Sequence, residues 1–149
     1  MAILHGEQDA VVPWREAAGF SGCYDAYFLL LQDSGYPYLP AFVSLLEHPN
    51  SHIRNRTLEL IAANAKWDSQ GLYDTSIHQF LLHIKDKTPA TARKCIQLLP
   101  KIAIAKPELV PQIHSALQQD IDLSLYSERA QQSIKKAVST ALAAIELVK

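Results

Sequence analysis

The sequence predicts an all-α protein of about seven helices arranged in antiparallel pairs. Three observations predict it. Glycine is scarce, five in 149 residues, which suits helices joined by short turns better than a sheet. One arginine recurs in the same setting, at Arg15, Arg54, Arg93 and Arg129, with gaps of 39, 39 and 36 residues. Apolar residues repeat at helical spacing beside those arginines, as in Ile77, Phe80, Leu81 and Ile84.

Each recurring unit carries its own turn chemistry. Glu47 precedes Arg54, Asp86 precedes Arg93 and Asp122 precedes Arg129, each by seven positions, while Asp9 precedes Arg15 by six. Between acid and arginine stands a breaker or cap: Pro49 with Asn50 and Ser51, then Thr88 with Pro89, then Ser127. An outer helix therefore ends at the acid, a tight turn follows, and an inner helix brings the arginine round in its first turn. Acid and arginine are expected to pair across that turn, so that Glu47–Arg54, Asp86–Arg93 and Asp122–Arg129 act as structural ion pairs. An acid there also suits the positive end of the inner helix.

The elements follow in order. Residues 9–32 read as a helix broken near Gly19 and Gly22, and residues 34–40, with Gly35, Pro37 and Pro40, read as a loop. The first outer and inner helices are expected at 38–47 and 51–66, the second pair at 72–84 and 89–105, and the third at 107–119 and 127–148. On the inner helix, at about 100° per residue, Ile53, Thr57, Leu60, Ile61 and Asn64 share one face. Their equivalents 39 residues on are Ala92, Ile96, Leu99, Pro100 and Ala103, with Pro100 a break in the pattern. The remaining stripes are Leu109, Ile113 and Leu117, then Ile134, Val138, Ala141 and Ile145. The expected organisation is one domain over 1–149, with 1–35 a degenerate N-terminal cap and helix pairs at 38–66, 71–105 and 107–148.

These features resemble the HEAT and armadillo class of helical repeats. Glu47–His48–Pro49–Asn50 before Ile53–Arg54, and Asp86–Lys87–Thr88–Pro89 before Ala92–Arg93, are similar to that class's acid, proline and hydrophobic-arginine pattern. The resemblance covers residues 38–148 well and the first 35 poorly. It implies a right-handed α-α superhelix, a solenoid with a concave face lined by inner helices, and it specifies a fold without a function. The stretch from Arg54–Asn55–Arg56 through Ala62–Ala63–Asn64–Ala65–Lys66–Trp67–Asp68 is also similar to small bacterial HEAT-like proteins, mainly from Firmicutes, some of which carry a SufBD label. That label implies iron–sulfur assembly. Cluster scaffolds bring thiolate or carboxylate ligands together, whereas Cys23 and Cys95 stand 72 positions apart, so the residues read as cofactor-free.

Composition narrows the function classes. Hydrophobic residues make up 48% and charged residues 19%, with a net charge of −1. No long-range field favours DNA, RNA or an anionic membrane. Residues 1–6 have no basic start and no apolar h-region, and 26–31 is too short to span a bilayer, so a reducing cytoplasm is the expected location. His48 and His52 stand four apart but flank a turn, and no further ligand is near at metal spacing. Cys95 falls near the apolar stripe and reads as core; Cys23 follows a glycine, and neither has the base that a nucleophile needs. Asn64 sits mid-stripe, either bonded to backbone of a neighbouring turn or open to a ligand groove. Trp67 either packs under the next loop or forms a binding hot spot beside Lys66. Tyr24, Tyr27, Tyr36 and Tyr38 are expected to seal the N-terminal end of the stack.

The expected function is a non-enzymatic protein-interaction module whose partner lies on the inner-helix face. Its contact residues are expected to be Asn55, Arg56, Glu59, Lys66 and Trp67 on one inner helix and Lys94 and Lys101 on the next, with Arg56, Lys94 and Lys101 a modest basic strip. No metal or cofactor is expected, the partner is another protein, and the exposed ends of a short stack leave self-association open. The alternative is a DNA-binding protein resembling the HEAT-like alkylpurine DNA glycosylases, with Trp67 and Asp68 as the local aromatic–acid pair. A third reading is an accessory subunit of the HEAT class seen in phycobilin attachment.

Overall fold

A computed structural model describes residues 39–119 and 121–148. The expectations placed on the first 38 residues, namely the broken helix, the cap, Arg15, Cys23 and the tyrosine seal, lie outside them. Among the described residues the fold is all-helical. It has six α-helices: α1 Leu39–Leu45, α2 Ser51–Asn64, α3 Leu72–Leu81, α4 Pro89–Ala105, α5 Val110–Gln118 and α6 Glu128–Glu146. Short 3-10 turns at Ala65–Trp67, Leu82–Lys85 and Pro107–Leu109 extend α2 and α3 and lead into α5. None of these helices is long and apolar enough to cross a membrane.

The helix boundaries follow from local chemistry. The Asn50 side chain accepts the His52 amide at 2.8 Å and caps α2. The Asp68 carboxylate takes the Leu72 and Tyr73 amides at 2.9 and 3.3 Å and starts α3. Between them Gly71 has φ +70°, a left-handed turn that a side chain would strain. Pro89 opens α4, where a missing amide costs nothing. Ser127 Oγ accepts the Ala130 amide and caps α6. Pro100 does not end α4, which runs through it to Ala105.

Packing forms two layers. In one, α4 lies between α2 and α6 and packs on both; in the other, α1 packs on α3. The core between them includes Phe42, Leu60, Ile61, Tyr73, Phe80, Ile96, Leu99, Ile113 and Ile145, all at most 2% exposed. On α2 the expected stripe is buried at Thr57, Leu60, Ile61 and Asn64, with Ile53 half-buried. On α4 the buried face takes in Cys95 and Ile102 and leaves Pro100 half-buried, a rotation away from the predicted stripe. The Cys95 thiol donates to the Phe80 carbonyl at 3.2 Å, and burial first, then the nearby Asp86 charge, pushes it well up from its ordinary value. Asn64 is fully buried and donates to the Leu60 carbonyl at 2.8 Å, a structural asparagine rather than a groove residue.

Candidate partner-binding face

Two polar hubs fix how successive helices meet. The first is Arg54, 4% exposed in the first turn of α2. Its Nε and Nη2 donate to the Asp86 carboxylate at 3.1 and 2.9 Å, and Nη1 donates to the His48 and Pro49 carbonyls at 2.9 Å each. Asp86, just before α4, also accepts from the Thr88 amide at 2.8 Å and contacts His83 Nδ1 at 2.8 Å. The Tyr126 hydroxyl, from the loop before α6, donates to the Asp86 carbonyl. Burial alone would raise the Asp86 carboxyl. Hydrogen bonds from His83, Arg54 and the Thr88 amide, with the guanidinium charge, outweigh it and bring it down to about 2.

This geometry corrects the expected turn pairs. Arg54 does not pair with Glu47, which is exposed; the carbonyls of its own turn hold one edge of the guanidinium and aim the other at the next turn's acid. Arg93 does not pair with Asp86, whose carboxylate is already committed. It is exposed and donates to Ser133 Oγ at 3.1 Å, across to α6. The position 32 residues beyond Arg93, where Asp86 stands relative to Arg54, is Leu125, which is 92% exposed. Asp122 does not pair with Arg129 either: its carboxylate accepts the Ser124 amide at 3.0 Å, while Arg129 is exposed.

The second hub escaped the sequence reading. Lys106, 7% exposed after α4, sends its ammonium to Asp68 at 2.6 Å, Glu108 at 2.8 Å and Asp74 at 3.7 Å. Burial would lower this amine, and the carboxylates of Asp68 and Glu108 instead hold it well above the ordinary lysine range. The available signal was Asp68 and Lys106 just past the ends of α2 with its 3-10 extension and of α4, 38 residues apart. The Asp68 side chain is fully buried and bound to Lys106 and the α3 amides, so Trp67 has no open acid beside it.

The expected contact residues divide into groups. Glu59 and Lys94 meet at 2.7 Å, half-exposed, tying α2 to α4; Lys94 is thus paired rather than loose. Lys66 lies over the Trp67 ring at 5.2 Å, and Trp67 is 39% exposed. Asn55 and Arg56 are half-buried on α2, with Asn55 Oδ1 buried and without a hydrogen-bond partner. Lys101 is exposed on α4, on a strip with Arg93, Gln97 and Ile104. Sequence reasoning missed a groove of about 350 Å³ between α4 and α6. Arg93, Gln97 and Pro100 form its α4 wall, and Ser133, Lys136 and Thr140 its α6 wall. A second groove, of about 540 Å³, lies between the α3 end and α5, lined by Leu81, Leu82, Pro111 and Ala116 among others.

No family model, curated protein or solved structure matches the chain. Among the described residues no group of three histidine, cysteine or carboxylate side chains could hold a metal ion.

Proposed function

We propose that the chain is a non-enzymatic protein-interaction module, a short HEAT-like solenoid that docks a segment of another protein on the face of α2, α4 and α6. The observation that carries this reading is the layer itself. Three adjacent helices, α2 joined to α4 by Arg54–Asp86 and Glu59–Lys94 and α4 to α6 by packing and the Arg93–Ser133 bond, hold Lys101, Gln97, Arg93 and Lys136 outward on one surface. A preformed surface of this kind binds without a large ordering cost. Asp86, Lys106 and Cys95, three of the buried titratable groups, are each consumed in structural contacts. The glycosylase-like alternative needs an open acid beside Trp67, and Asp68 is capped and paired instead.

Affinity capture from the native host tests this, with wild type beside a variant carrying Arg56→Glu, Lys66→Glu and Lys101→Glu. A protein retained by wild type and lost by the variant, with both folded by circular dichroism, is the expected result. Identical capture by both would overturn the reading.

A further inference from the structure

The groove between α4 and α6 places two cations beside a small apolar surface. The net charge is −1, yet the groove carries Arg93 on one wall and Lys136 on the other, and no carboxylate among its lining residues. Three cations elsewhere are matched to acids. Arg54 meets Asp86, Lys106 meets Asp68 and Glu108, and Lys94 meets Glu59. Among the described residues neither Arg93 nor Lys136 pairs with a carboxylate. Arg93 gives one Nη1 bond to the neutral Ser133 hydroxyl, which directs the guanidinium across the groove. Small apolar residues also line the groove, Ala137, Ala141 and Ala144 from α6 and Pro100 from α4.

We propose that this groove takes an acidic, extended peptide segment of the partner, with carboxylates bound by Arg93 and Lys136 and small side chains seated against the alanines. The inference rests on the reading of the inner-helix face as a docking surface and names the occupant. Guanidinium and carboxylate match as planar, two-bond partners, and the Ser133 contact pre-orients the donor. The Thr140 and Gln97 side chains stand on opposite walls, where they can bond peptide backbone. A nucleic-acid duplex fits less well. The groove's two cations fall short of the run of phosphate contacts that such binding needs, and its apolar residues offer a phosphodiester chain nothing.

The test is a fluorescence-anisotropy titration of the full chain with a fluorescein-labelled peptide alternating glutamate and alanine. The charge-reversed lysine–alanine peptide and a short labelled DNA duplex are run beside it. The acidic peptide is expected to bind saturably, and more weakly as salt rises. Arg93→Gln and Lys136→Gln should each weaken it roughly fivefold. Lys135→Gln, in the depression on the other side of α6, should not. Thr140→Trp, a substitution at an exposed position, fills the groove without touching the core and should abolish binding while circular dichroism stays unchanged. Undiminished binding to the Thr140→Trp variant would overturn the proposal, as would equal binding of the lysine peptide. Absence of peptide binding, while host capture still depends on the inner face, would overturn the acidic occupant alone. Preferred binding of the duplex would overturn both it and the docking reading.

Discussion

Replacing Arg54 by methionine isolates the bracing of one helix pair by the next. The side chain is 4% exposed and its partner carboxylate equally so. The substitution keeps the aliphatic stem and removes two bonds to Asp86, one to Thr88 and two to the His48 and Pro49 carbonyls. Breaking one side of a buried pair costs about 3–5 kcal/mol, because the remaining charge stays buried. Asp86 keeps the Thr88 amide and His83, so the lower end applies, about 3 kcal/mol. For a domain of this size that is a fall in Tm of roughly 6–12 °C. Adding Asp86→Asn removes the stranded charge, and the double variant should regain about half of the loss. Glu47→Gln is the control and should stay within about 0.5 kcal/mol of wild type. Urea denaturation followed by circular dichroism measures all four. A loss below 1 kcal/mol for Arg54→Met, or a loss for Glu47→Gln as large, would refute the inter-turn brace.

Other consequences follow from the same contacts. Asp86 is held down at about 2, against an ordinary value of 3.8, so its stabilisation is present above pH 3.8 and is lost as pH falls through 2. Wild type should lose about 2 kcal/mol more than Asp86→Asn across that window, read as urea midpoints at each pH. Leu99→Ala, at a fully buried position, should cost about 2–5 kcal/mol by the same assay. Gly71→Ala should cost about 1–2 kcal/mol, since it forces φ +70° on a residue with a Cβ and sets that atom 3.2 Å from Asp74 Oδ2. Thermal melts check it, and an unchanged Tm would contradict the strained turn.

The helices were legible in the sequence because their signals are local. Asn50, Pro89 and Ser127 mark starts that the structure places within one residue, and the apolar spacing of Ile77, Phe80 and Ile84 is the buried face of α3 and its 3-10 extension. The ion pairs were not legible, for a reason built into the repeat. The spacing that puts an acid seven residues before Arg54, Arg93 and Arg129 also puts one 32 residues after Arg54, and spacing alone cannot choose between them. The choice is made by the carbonyls of His48 and Pro49, which no residue pattern reports. Lys106 escaped notice because two of its partners, Asp68 and Asp74, flank the start of α3, more than thirty residues before it, and only Glu108 is a near neighbour. The α4–α6 groove escaped because it is defined by absence of bulk at Ala137, Ala141 and Ala144, and small residues leave no signal beyond helix propensity.

The most direct trial of the account is photocrosslinking in the native host, with benzoylphenylalanine placed singly at Gln97 on α4 or at Gln112 on α5. Both positions are exposed, Gln97 in the α4–α6 groove and Gln112 in the groove between the α3 end and α5. The account predicts that position 97 traps a discrete polypeptide and position 112 does not. Trapping from position 112 alone, or the same product from both, would contradict it.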